Sequence, residues 1–182
     1  MTGPIFDTHA HYSARAFDAD RDFLLGSLPG KGVVGVCEQA THSGDAPRVL
    51  ELDKPIIVHD RNAHADVYAL LKKYQPKGIV HCYSGSADDA VWLVKQGLFI
   101  GFGGACTFKG AKRAAKAISA LPLESIVLET DCPYMAPEPV RGTRCDSSLI
   151  RYVGEYIAQL RGISAEEVFR TTAENARRVY GL

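Results

Sequence analysis

The sequence predicts an α/β fold with a mainly parallel sheet covered by helices, and three observations carry that prediction. Short runs rich in Val, Ile and Phe alternate with longer amphipathic stretches along most of the 182 residues, which is the pattern of βα units. The short runs are almost continuously apolar, as strands buried on both faces are. Histidines and an aspartate recur where those runs stop, and functional groups of parallel α/β folds gather at the C-terminal ends of strands.

Taken in order, residues 4–11 read as the first strand. Residues 14–28 read as a helix with Phe17, Phe23, Leu24, Leu25 and Leu28 as its apolar stripe, stopped by Pro29-Gly30-Lys31-Gly32. Residues 33–37 form a second strand. The stretch 38–52 is ambiguous, loop around Thr41-His42-Ser43-Gly44 and then a short helix. A third strand covers 55–59, a helix 63–74, and Gln75-Pro76-Lys77-Gly78 breaks it. Strand four is 79–83, followed by a helix over 87–96. Strand five is 99–103, followed by a helix over 109–120. Strand six, 125–129, ends at Thr130-Asp131. A Pro- and Arg-containing loop runs to about residue 145. Two helices follow, 148–161 and 165–180, the second with Ser164 as N-cap and Glu167 completing a capping box.

Apolar content of 46%, charged content of 23% and a formal net charge of zero describe an ordinary globular chain. A nucleic-acid partner would need a local basic patch rather than a global field. No apolar run approaches the ~20 residues of a spanning helix, and no signal-peptide layout opens the chain. The five cysteines, Cys37, Cys82, Cys106, Cys132 and Cys145, show no CxxC spacing. They read as reduced thiols of a cytoplasmic protein.

His9 and His11 lie two apart on the first strand and so share a face. His59 ends the third strand, His81 the fourth and Asp131 the sixth. One such histidine is usually a packing or capping residue. Four converging with a carboxylate point to a divalent metal with nitrogen and oxygen ligands, zinc or manganese among them. Asp131 is the natural residue to ligate the metal and to orient or deprotonate water, although a plain hydrogen-bonding aspartate is the alternative. Glu129 either shares its face or pairs with an arginine. His42 and His64 read as solvated. Arg61, two residues after His59, can clamp a phosphate or form an ion pair. Tyr83 and Ser84 open a helix where amides and hydroxyls bind an anion or simply cap. Arg141 and Arg144 follow Asp131 and are further phosphate candidates. Lys109, Lys112, Arg113 and Lys116 share a helix face, most simply a solvated one.

The motifs FDTHAH, IIVHDRNAH, IVHCYSGS, FIGFGG and LETDCPYMAP, followed by RG, occur in this order along most of the chain. Together they resemble the TatD family of metal-dependent deoxyribonucleases. The resemblance implies a TIM-barrel-like (βα) parallel barrel of the amidohydrolase type, hydrolysing phosphodiester bonds in DNA with a 3′-end exonuclease character. It implies one or two divalent ions, Mg, Mn or Zn. His9 and His11 would hold one, His59 and His81 another, and Asp131 would complete the site.

The chain departs from that pattern in one region. A barrel of this kind has eight strands and ~250 residues; six strands are predicted here. Residues 1–182 read as a single barrel domain with an internal deletion near 50–51, in the region of strands three and four. The deletion removes the family's metal-bridging glutamate; Glu38 is the only nearby carboxylate that could substitute. It also predicts uncovered strand edges that favour self-association. Two alternatives follow: a metal-dependent hydrolase of another ester, amide or phosphotriester, and a shortened relative without turnover.

Overall fold

The computed structural model describes residues 3–12, 14–38, 55–60 and 64–182. Among them six strands run parallel. β1 (Ile5–Ala10) pairs with β2 (Val33–Glu38). β3 (Ile56–His59), β4 (Gly78–His81), β5 (Leu98–Phe102) and β6 (Ile126–Leu128) form a second parallel sheet in sequence order. A seam joins the two. Ala10 bridges Cys132 in parallel, the Asp131 amide donates to the His9 carbonyl at 2.9 Å, and the His11 amide donates to the Cys132 carbonyl at 3.0 Å. The described strands therefore form one curved arc, β2-β1-β6-β5-β4-β3.

Helices follow the strands as βα units require. They are α1 (Arg21–Ser27), α2 (His64–Tyr74), α3 (Ala87–Lys95), α4 (Lys112–Ala120), α5 (Ile150–Arg161) and α6 (Ala165–Tyr180). None is long and apolar enough to cross a membrane. Alternation along the strands sorts the side chains into two groups. Val80, Ile100, Ile126 and Leu128 join the large core beneath the helices. Ile79, Phe99 and Val127 point to the opposite face and meet Val179 and Tyr180. α6 covers β1 and β6 and is pinned there: Asn175 donates to the Leu123 and Ile126 carbonyls, and the Tyr180 hydroxyl donates to the Thr8 carbonyl.

The predicted helix over 14–28 is broken into a 3-10 turn, Arg15–Phe17, and α1. The break has a tertiary cause. Asp20, at the N-cap of α1, spends its carboxylate on Arg144 and makes no capping hydrogen bond. The helix predicted from 109 starts at Lys112, because Gly110 turns the chain at φ 95°. The ambiguous stretch, including His42 and the 50–51 junction, lies outside the described residues, as do Arg61 and the side chains of Glu38 and His64.

Candidate metal centre

The C-terminal ends of β1, β4 and β6 converge on one point. His9 and His81 stack with ring centroids 3.6 Å apart. Their Nε2 atoms lie 3.4 and 3.7 Å from Asp131 Oδ1. His11 Nε2 lies 3.3 Å from that same oxygen and 3.1 Å from His9 Nε2. His59 sits opposite His81 in the β3–β4 register, more exposed, with ring centroids 5.3 Å apart. His9, His81 and Asp131 thus form a cluster able to hold a metal ion.

The donor set fits such an ion. Ligands ~2.0–2.1 Å from a tetrahedral centre are about 3.3 Å from one another, the spacing seen here. Burial argues the same way: His81 Nε2, the atom that faces Asp131, is buried without a hydrogen-bond partner, a costly state for a nitrogen that has no ligand to bind. Burial opposes the charge on Asp131, but the pull of His9, His81 and His11 outweighs it and holds the carboxyl below the usual carboxylate range. Burial likewise favours neutral His81, yet Glu129, then Asp131 and Asp7, raise its pKa.

Backbone and buried polar groups build this arrangement. Asp7, fully buried, accepts hydrogen bonds from the His9 and Thr130 amides, the Thr130 hydroxyl and the Ser147 hydroxyl. Ser147 in turn pairs with the Tyr12 hydroxyl at 2.8 Å. Asp7 thereby ties the end of β1 to the segment that carries Asp131. Burial raises its pKa to about 7 against the pull of those hydrogen bonds. Asp131 itself has φ 64° and Cys82, just after His81, φ 48°. Two non-glycine residues in the left-handed region beside one cluster mark a strained, specified backbone.

The substrate-side residues are placed unevenly. The Tyr83 hydroxyl is buried and donates to the Ser86 carbonyl at 2.6 Å, and Ser86 caps α3. Ser84 is exposed and lines a cleft of about 560 Å³ with Cys82, Lys112, Arg113 and Met135. Arg141 lies over the Phe108 ring, 4.1 Å from its centroid. Arg144 is committed to Asp20 and the Ala16 carbonyl. Sequence reasoning missed Asp7 and Ser147 altogether. It left Glu129 open between two partners, and Glu129 in fact faces His81 and Cys82.

Comparison with known proteins shows the family and the fold of the chain. The family model "TatD related DNase" matches residues 50–181. "Uncharacterized metal-dependent hydrolase YabD" of Bacillus subtilis is 40% identical over 135 residues, 72% of this chain and 53% of that protein. YcfH of Escherichia coli K12, with the same description, is 38% identical over 135 residues, 72% of this chain and 51% of that protein. "3'-5' ssDNA/RNA exonuclease TatD" of Erwinia tasmaniensis is 30% identical over 155 residues, 80% of this chain and 60% of that protein. The chain spans about half the length of the curated relatives YabD and YcfH. The crystal structure of YjjV, a TatD homologue of E. coli K12, superposes with TM-score 0.85 at 22% identity, covering 98% of each chain. A TatD family hydrolase of Entamoeba histolytica superposes with TM-score 0.65 at 18% identity, covering 92% of this chain and 69% of that one. These structures carry the fold: parallel, α/β and TIM-barrel-like. On the family match over most of its length, this chain belongs to the TatD related DNase family.

Proposed function

We propose that the chain is a metal-dependent hydrolase of phosphodiester bonds in DNA, with His9, His11, His59, His81 and Asp131 as metal ligands. The observation that carries this reading is the convergence of three imidazole nitrogens within 3.3–3.7 Å of one Asp131 oxygen. One or two ions of Mg, Mn or Zn suit the set. A bound ion lowers the pKa of water and polarises a phosphoryl oxygen. Asp131 Oδ1 faces the histidines, its ionised state suits a ligand to a cation, and Asp131 is the residue we assign to orient or deprotonate the water. Lys112 and Arg113, in the adjoining cleft, supply the positive charge that a polyanion needs. Ser84, Tyr83 through its helix-opening backbone, Arg61 and Arg141 are the further phosphate contacts. Tyr134, 64% exposed and three residues past Asp131, offers a face on which a base can stack.

The test is cleavage of end-labelled single-stranded DNA with Mg²⁺, Mn²⁺ or Zn²⁺, and with chelator. Activity that needs metal and falls at least ~100-fold in His81→Ala and Asp131→Ala is expected. Undiminished cleavage in excess chelator would reject the reading. A second reading, a shortened relative without turnover, is supported by the half-length match to YabD and YcfH; it predicts little bound metal and no cleavage. We take residues 1–182 as one barrel domain with a deletion near 50–51, and β2 and β3 as the edges through which copies associate. Five cysteines that are all thiols rather than disulfides support a reducing compartment such as the cytoplasm.

A further inference from the structure

Glu129 has no part in the reading above, yet it is 1% exposed beside the histidines. Asp7, the other buried carboxylate there, is satisfied by four donors. Glu129 is not. Its Oε1 accepts the Cys82 amide at 2.6 Å. Its Oε2 lies 3.0 Å from His81 Nδ1, at ion-pair distance but without an aligned hydrogen bond. The left-handed backbone at Cys82 is compatible with the amide's turn toward the carboxylate.

The topology explains how the carboxylate gets there. β5 separates β6, which leads into Glu129, from β4, which carries His81. The intervening position on β5 is Gly101, where any Cβ would overlap the Glu129 carboxylate. Glu129 reaches across β5 through the gap that glycine leaves.

We propose that Glu129 is a positioning residue: it holds the proton of His81 on Nδ1 and so turns the Nε2 lone pair toward Asp131, with Gly101 as the opening that admits it. Two acceptors 3.0 Å apart would repel, so Nδ1 carries hydrogen. In the neutral imidazole, the form that binds a metal, Nε2 is then the free donor atom facing the cluster. A carboxylate behind a ligating imidazole raises its basicity and fixes its orientation. The functional meaning of this arrangement rests on the metal centre proposed above, but the tautomer does not.

The experiment is ¹⁵N–¹H NMR of the His81 imidazole in the metal-free chain at alkaline pH, with Zn²⁺ titration calorimetry on the wild type, Glu129→Gln and Gly101→Ala. The wild type is expected to show Nδ1–H. In Glu129→Gln the Cys82 amide keeps the side-chain oxygen, so the amide NH₂ faces His81 and drives its proton to Nε2. The tautomer inverts, and Zn²⁺ affinity falls about 10- to 100-fold without loss of the folded state. Gly101→Ala displaces the carboxylate and lowers affinity in the same direction. Nε2–H in the wild type, which needs no variant to observe, overturns the proposal, as does unchanged Zn²⁺ affinity in Glu129→Gln. A chain that shows both effects and cleaves no DNA sinks the nuclease reading and leaves this one standing.

Discussion

Asp7 takes four hydrogen bonds from groups that have no water to turn to. Asp7→Ala strands those donors, each costing ~1–3 kcal/mol when left unpaired and buried. With partial rearrangement, a loss of about 2–4 kcal/mol is expected, read as a lower urea midpoint at unchanged slope. Asp7→Asn should cost less, since the Thr130 and Ser147 hydroxyls can rotate to accept from the amide. His9, His11, His81 and Asp131 were legible in the sequence because residue type and strand end coincide. Asp7 was not. Its partners Thr130 and Ser147 stand 123 and 140 residues away, and no local spacing encodes such a meeting. Glu129 was half legible: its parity with Asp131 was plain, but its reach depends on the missing side chain of a residue on another strand.

Elements divide the same way between local and distant causes. Ser164 caps α6 through its hydroxyl, which accepts the Glu167 amide at 3.1 Å, as Ser-x-x-Glu predicts. Ser164→Ala should lower stability by ~1 kcal/mol in chemical denaturation, with no change in Zn²⁺ affinity, because the cap is remote from the histidines. The start of α1 was illegible, since Arg144 takes the Asp20 carboxylate from 124 residues away. That pair has a pH signature. Arg144 holds the Asp20 carboxyl below its ordinary value, so the folded pKa is depressed. Its stabilisation is present above the unfolded Asp pKa of ~3.9 and is lost as pH falls through the folded value. The difference in melting temperature between wild type and Asp20→Asn should therefore shrink as pH drops below about 4. A gap that stays constant with pH would show that the pair is screened away.

At the scale of the molecule, the strands predicted at 4–11, 33–37, 55–59, 79–83, 99–103 and 125–129 all exist, displaced by a few residues at their ends. Continuous apolar runs reveal buried parallel strands directly, whereas strand ends depend on where the next loop turns. The seam between β1 and β6 was not visible, because its hydrogen bonds come from His11, Asp131 and Cys132 beyond the apolar runs. That seam carries the proposed metal ligands on both sides, so metal and fold should be linked. Zn²⁺ or Mn²⁺ at a hundred times its dissociation constant should add ~2.7 kcal/mol, seen as a rise in melting temperature that chelator reverses. No shift would mean that the cluster binds no ion in the folded state.

The brace from Ser147 to Asp7 also sets a schedule for biosynthesis. His9 and His11 leave the ribosome before the hydroxyl that braces their strand, which lies 140 residues beyond Asp7. A nascent chain holds His9 and His11 as loose imidazoles until Asp131 and Ser147 have both emerged. Closing so long a loop is an entropic cost that is met only after residue 147 has been made. The His9–His81–Asp131 cluster is thus braced only once Ser147 has been made, and intermediates that stop short of Asp131 carry histidines without their carboxylate partner.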